Sequence, residues 1–286
     1  MLKPSRLPLV VPIVVRERLT RGGRVRVPEP MVMADLQEVA EYDQAGATVQ
    51  LPLHHCNAMA LGSLLPPDGL VVDLGCGSGR QLLRLALGRP DARLIGLDLS
   101  TPMLETGRRL ALEHGIADRV ELRTGDIASL GLDLAQKASL ISCCLALHHL
   151  STEELAVRCL EAIRQARERT GCGVYIFDLV RLRHPRSWPA MLSLAAIPGE
   201  AFLRDAIASE RAAFTFTELT GLLQRTGLAD LQHACVGPLG EYQLHWVPGQ
   251  RPGAPSRWQT VPLPREAHLL TWIARRSFPR ALMRRP

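Results

Sequence analysis

The chain has 286 residues, 47% of them hydrophobic and 22% charged, and a formal net charge of +6. That is apolar material for one large core, and no run of about 18 uninterrupted apolar residues is present to cross a membrane. Seven scattered cysteines without a C-x-x-C pair argue against a disulfide framework or a structural zinc site.

The basicity sits at the ends. Residues 1–30 carry seven Lys/Arg against two Glu, and residues 248–286 carry eight Arg against one Glu, so 31–247 is net −6. Basic ends suit nucleic acid or an anionic surface, while an acidic middle does not.

In chain order, Lys3 and Arg6 precede "LPLVVPIVV", which mimics a signal peptide. Pro8 and Pro12 interrupt it, "RER" follows and no small-residue cleavage site appears, so it reads as a strand of a cytoplasmic protein. With "RGGRVRV" it forms an expected hairpin. "MVMADLQEVAEYDQAG" and "LPLHHCNAMALGSLL" read as two helices. Residues 1–66 are therefore expected to be a hairpin and a helical lid.

From residue 70 strands and helices alternate. "LVVDL", "ARLIGLD", "RVELRT", "ASLISCCLAL" and "CGVYIFDLV" are five apolar strands. "STPMLETGRRLALEHG" is a helix capped by Ser100 or Thr101, with Gly115 just past its end. "STEELAVRCLEAIRQARERTG" carries a capping box from Ser151 to Glu154. Such alternation predicts an α/β fold, a doubly wound parallel sheet with right-handed crossovers. Residues 181–214 break the rhythm as an insertion. After the helix "TFTELTGLLQRTGL", "DLQHACVG" and "EYQLHWV" are two last strands, joined by "GPLG" too tightly to be parallel. The tail, 248–286, is rich in Pro and Arg, with one short amphipathic helix expected near 265–276.

Between the first strand and its helix lies "GCGSGR". Glycines there let backbone N–H groups approach a ligand at a helix N-terminus. A dinucleotide fingerprint wants glycine where Arg80 stands, and an acid at Asp73 suits an ammonium group better than a pyrophosphate. A Walker loop is absent.

"VVDLGCGSGR" resembles the first motif of the class I S-adenosylmethionine-dependent methyltransferases. "IGLDLSTPML", "LRTGDIASL" and "ISCCLALHHL" resemble that family's next three motifs, in order. The resemblance spans about 70–247. It implies a Rossmann-like sheet of seven strands in the order 3-2-1-4-5-7-6, the last antiparallel, in a domain over 67–247. It also implies S-adenosyl-L-methionine as cofactor. Gly75, Cys76 and Gly77 would pass under the methionine part and Asp73 would order its amino end. Asp98 would accept from the ribose hydroxyls, Leu99 and Met103 would flank adenine, and Asp126 and Ile127 would meet its edge. Leu145, in the fourth motif, completes the set.

Methyl transfer needs alignment first, and a base only where the acceptor loses a proton. Candidates around the acceptor are Tyr42, His148, His149, Asp178 and Arg181. "HHC" at 54–56 and "CC…HH" at 143–149 lack ligand spacing, so no metal is expected. Neither an Asn/Asp-Pro-Pro-Tyr/Phe motif nor a Pro-Cys nucleophile is present, which disfavours nucleic-acid bases and points to a small molecule or specialised metabolite. "FDLVRLRHPRS" with the later "AAFTFTEL" resembles a bacterial subgroup of that kind, although Leu182 departs from its pattern. Two alternatives stand beside this reading: transfer of the cofactor's aminobutyl group, releasing methylthioadenosine, and RNA methylation using the basic tail. A homodimer is the assembly to look for.

Overall fold

A computed structural model describes residues 8–283 apart from 31, 34, 130, 132, 133, 135 and 251–256. Seven strands form one sheet: β1 (Leu70–Leu74), β2 (Arg93–Asp98), β3 (Val120–Thr124), β4 (Leu140–Cys144), β5 (Gly173–Leu179), β6 (Gln232–Val236) and β7 (Tyr242–Val247). Their order is β3-β2-β1-β4-β5-β7-β6, as expected. β7 runs antiparallel to both β5 and β6, while the β1–β5 pairs are parallel.

Strand alternation sends side chains to two cores. Val72, Leu74, Val174 and Ile176 face one, with Leu160 and Ile163 of α6 (Glu153–Thr170) and Leu219 and Leu222 of α9 (Phe216–Arg225). Val71, Tyr175 and Phe177 face the other. That side is built by α3 (Leu51–Leu64), α4 (Arg80–Gly88) and α5 (Thr101–Glu113). Helix α3 is apolar on nearly every face, and residues Leu51–Gly62 are buried except Leu53, as such a pattern requires. Tyr175 pins it by donating its phenol hydrogen to Asn57 Oδ1 at 2.5 Å.

The N-terminus departs from expectation. "VVPIVVRERL" is a helix, α1 (Val10–Leu19), not a strand. Its β-branched residues favour a strand, but Pro12 lies in the first turn, where a missing N–H leaves nothing unpaired. Val10 and Ile13 bury against Leu194, and Glu17 accepts from the backbone N–H groups of Arg183 and His184 at 2.6 and 3.1 Å. "RVRV" then forms no hairpin: it is extended chain with its valines outward, Val25 being 87% exposed. Its arginines point inward. Arg24 donates to Glu210 at 2.7 Å, and Arg26 to the carbonyls of His148, Leu150 and Ala212.

Helix α2 (Leu36–Ala47) follows, capped by Asp35, and lies over the strand ends. The 181–214 insertion folds as α7 (Ser187–Leu192) and α8 (Glu200–Ala212). The cap of α6 is Thr152 rather than Ser151; its hydroxyl accepts from Leu155 N–H at 3.3 Å. In the tail, α10 (Arg265–Ser277) covers the stretch expected to be helical. The tail is packed onto the domain. Trp258 fills the space over Gly62 and Gly88, and the Phe278 ring stacks on Phe177 with centroids 5.7 Å apart. No described helix is long and apolar enough to cross a membrane.

Candidate active site

Two cavities meet at the C-terminal ends of β1, β2, β4 and β5. The first is a polar pocket around the glycine loop, lined by all ten residues expected to hold the cofactor: Asp73, Gly75, Cys76, Gly77, Asp98, Leu99, Met103, Asp126, Ile127 and Leu145.

Its floor follows from the loop. Gly75 and Cys76 donate their N–H groups to the Leu97 carbonyl at 2.8 and 2.9 Å, fastening the loop to the end of β2. Gly77 has φ +54°, and nothing lies within 4 Å of where its Cβ would be. Backbone conformation, not crowding, therefore demands glycine there, and the open side faces the pocket. Gly77 N–H donates to Asp98 Oδ2 at 2.8 Å, and Ser100 N–H to Oδ1 at 2.8 Å. Burial raises the Asp98 carboxyl above its usual range, although those backbone donors pull it down. Asp73 is buried, accepts from the Ser142 hydroxyl at 2.6 Å, and is pushed up to about 7 by burial and then by the charge of Asp98. Asp126 caps the turn after β3, accepting from Ala128 N–H at 2.8 Å, and still lines the pocket.

A carboxylate with lone pairs to spare, a bare loop that a Cβ would constrain, a second buried acid at the inner end and an apolar flank of Leu99 and Met103 fit an adenosyl cofactor with an amino-acid arm. A dinucleotide would set its phosphates against Asp73.

Arg80, which had served only to set aside the dinucleotide reading, has a positive role. Its guanidinium donates to both oxygens of Asp43 on α2, at 2.6 and 2.7 Å, and the Ser78 hydroxyl joins at 2.8 Å. The lid helix is thus bolted to the glycine loop. Gly46 lets the Arg80 stem pass, since a Cβ there would stand 2.7 Å from Arg80 Cδ. Ser100 donates to the Met33 carbonyl at 2.6 Å, drawing the segment before α2 over the pocket. His54, a further lining residue, is pulled down to about 4 by burial and by Arg80.

The second cavity is larger, about 910 Å³, and mostly apolar. Val10 and Val14 of α1, Trp188 and Phe202 of the insertion, and Leu270 and Ile273 of α10 contribute to its walls. Tyr42, Leu145 and His149 line both cavities and form the wall between them. Tyr42 is half-buried, and its desolvation raises the phenol pKa. Leu145 holds φ +55°, a left-handed conformation uncommon outside glycine, and so turns the chain from β4 into the junction.

Beyond Leu145 a single turn, Leu147–His149, presents the histidine pair. Asp178, at the end of β5, receives His148 Nδ1–H at 2.5 Å and His148 N–H at 3.0 Å. Burial alone would lower the pKa of His148; Asp178, followed by Glu29, outweighs it and the net direction is up. His149 is drawn down to about 3 by burial and by its neighbour His148. Arg26 clamps the turn from behind.

The five acceptor-side candidates divide. Tyr42, His148 and His149 line the large cavity. Asp178 does not reach either cavity and acts through His148. Arg181 lines neither cavity; its guanidinium donates to the carbonyls of Arg24 and Ala213 and to Glu218. It ties the N-terminal arm to the α8–α9 turn. Sequence reading missed Glu29, whose Oε1 lies 3.2 Å from His149 Nδ1 and 3.6 Å from His148 Nε2. It missed Asp205, Asp43 and the working role of Arg80 as well. Glu29 lies in an irregular segment with no periodicity, so no local signal marks it.

Comparison with known proteins finds methyltransferases. Residues 71–171 match a family model described as a methyltransferase domain. Over 188 residues the chain is 27% identical to the ubiquinone biosynthesis O-methyltransferase of Photorhabdus laumondii, covering 63% of this chain and 72% of that protein. Over 107 residues it is 30% identical to the methyltransferase ungE' of Aspergillus campestris, covering 37% of this chain. That match spans only 31% of the fungal protein's length. Among solved structures, the plantazolicin methyltransferase BamL in complex with a triazolic desmethylPZN analog and SAH superposes with a TM-score of 0.55. The two share 17% identity over 72% of this chain and 73% of that one, a likeness of fold.

Proposed function

Because the chain belongs to the class I S-adenosylmethionine-dependent methyltransferases, we propose that it methylates a small, largely apolar molecule seated in the large cavity. The observation that carries this is the shared wall. Tyr42, Leu145 and His149 touch both the polar pocket and a cavity of about 910 Å³. A volume of that order suits a metabolite of drug size or somewhat larger.

The cofactor, when bound, supplies an already activated methyl group. What remains for the chain is to hold two molecules in line and keep water out. Asp98 and the glycine loop fix the adenosine end, and Asp73 the amino end. The lid, bolted by Asp43 and Arg80, covers both. The apolar walls seat the body of the acceptor. The histidine pair is the polar feature at the junction, so the acceptor's heteroatom belongs there. Asp178 holds His148 through Nδ1–H, and His149 beside it lines both cavities, so the pair frames the place of that group.

Relatives with this domain include one named for ubiquinone biosynthesis, whose name specifies O-methylation. A hydroxyl at the junction is the acceptor this supports. Against the RNA reading, Arg275 of the basic tail donates to the Met283 carbonyl, and Arg24 and Arg26 near the other end are likewise bonded within the fold.

The test is to incubate the protein with methyl-labelled cofactor and a small-molecule extract, then identify both products by mass spectrometry. S-adenosylhomocysteine with a labelled small molecule is expected. Methylthioadenosine would replace this reading with aminobutyl transfer, and cofactor binding without turnover on any acceptor would overturn catalysis.

A further inference from the structure

Behind the two histidines that line the large cavity, the Glu29 carboxylate converges on both of them. Glu29 Oε1 lies 3.2 Å from His149 Nδ1 and 3.6 Å from His148 Nε2, and one ligand atom from each of the three residues lies within 4.8 Å of the others. We propose that Glu29, His148 and His149 hold a divalent transition-metal ion, zinc first, with an open coordination position toward the acceptor cavity.

The spacing fits. Bonds of about 2.0–2.1 Å in a tetrahedral zinc site put neighbouring ligand atoms about 3.3 Å apart. A two-histidine, one-carboxylate set is the donor chemistry that zinc and its first-row neighbours take, and not that of magnesium or calcium.

The hydrogen bonding fits too. Glu29 Oε1 and His149 Nδ1 are both buried and have no hydrogen-bond partner, although they face one another at 3.2 Å. Two buried lone pairs left unmatched are costly, and a cation satisfies both at once. The Glu29 side chain is only 5% exposed, so water does not relieve it.

The supporting shell is built as metal sites require. His148 donates its far nitrogen to Asp178, which fixes the tautomer with Nε2 facing Glu29. Glu29 Oε2 receives the Ser209 hydroxyl at 3.2 Å. The His149 ring is backed by the Pro30 carbonyl. Asp205 lines the same cavity and adds negative charge near His148.

The sequence reading expected no metal because "HH" at 148–149 lacks ligand spacing. The third ligand stands over a hundred residues upstream, in a segment that only the tertiary fold brings near. The ion's further role rests on the proposed function: its open position meets the acceptor's hydroxyl at the junction and polarises it.

The experiment uses untagged protein, stripped with chelator, dialysed and titrated with Zn²⁺ and with Co²⁺. One ion per chain is expected by elemental analysis, with visible absorption from the Co²⁺ form. Glu29→Gln and His149→Ala should each weaken uptake at least tenfold while circular dichroism stays native. Asp178→Asn, which touches no ion, should weaken it about tenfold. No stoichiometric uptake, or uptake unchanged in the Glu29→Gln/His149→Ala double variant, overturns the site. S-adenosylhomocysteine binding is measured on the same samples. Binding of that compound without metal uptake overturns the ion and leaves the methyltransferase reading standing; metal uptake without it does the reverse.

Discussion

Arg80 donates two parallel hydrogen bonds to Asp43, Nε to Oδ1 at 2.6 Å and Nη2 to Oδ2 at 2.7 Å. This fork joins the first residue of α4, just past the glycine loop, to the middle of the lid helix. Both side chains are largely buried, 20% and 13% exposed, so solvent screens the pair only in part. Asp43→Asn keeps the shape and removes the charge. It should lower affinity for S-adenosylhomocysteine by about 1–2 kcal/mol, roughly five- to thirtyfold. Calorimetry checks this, and an unchanged affinity would show that the lid is not coupled to the pocket.

Asp98→Ala removes a carboxylate that organises the loop through Gly77 and the turn through Ser100. Cofactor affinity should fall by roughly 2 kcal/mol or more. Asp98→Asn, which retains one acceptor oxygen, should lose less. Equal losses in the two variants would mean that the charge, which both lack, is what the pocket needs, and not the acceptor that orders the loop.

Asp73 gives a pH signature. Its folded pKa, about 7, lies above the ordinary value of 3.8. The free protein therefore binds more protons folded than unfolded between about pH 4 and 7, and it loses stability as pH rises through that window. A cofactor bringing an ammonium group to Asp73 favours the carboxylate, so binding near pH 6 should release a proton. Calorimetry in two buffers of different ionisation enthalpy reads that release directly. Asp73→Asn should abolish it; a release unchanged in that variant would point to another group.

Arg181→Lys separates scaffold from site. Three anchored partners are lost or loosened, so the melting temperature should drop by an amount worth about 1–3 kcal/mol. Affinity for S-adenosylhomocysteine should hardly move. A variant of native stability with lost turnover would restore Arg181 to the acceptor side.

Met191 lines the large cavity and not the polar pocket. Met191→Trp should cut kcat/KM for bulky acceptors at least tenfold while cofactor affinity stays within twofold, if filling the cavity excludes them. Equal loss on small and bulky acceptors would argue against the cavity as the acceptor seat.

The polar pocket was legible from the sequence because its parts are local. Nine of the ten expected residues sit in or just beyond a strand, and Met103 in the first turn of the helix that follows one, within short motifs whose geometry the strand–turn–helix unit dictates. The acceptor side was far less legible. Glu29 and Asp205 come from an irregular arm and an insertion and meet the histidine pair only after the chain has folded, as Asp43 of the lid helix meets Arg80. Leu145 in a left-handed turn carries no residue-type signal, since glycine would be the ordinary choice. "VVPIVV" misled because β-branched residues speak for a strand, whereas burial against the insertion decided for a helix. "RVRV" misled through its alternation, which puts arginines, not valines, inside.

The large cavity is walled by α1 near one end of the described chain and α10 near the other, with the 181–214 insertion between them. The polar pocket draws chiefly on residues 73–150, with α2 and α3 adding Tyr42, Gly46 and His54. The molecule is thus divided along its chain into a handle and a removable front. Exchanging the front for that of a similar protein would redirect which compound is modified, while the handle kept its grip on the same donor.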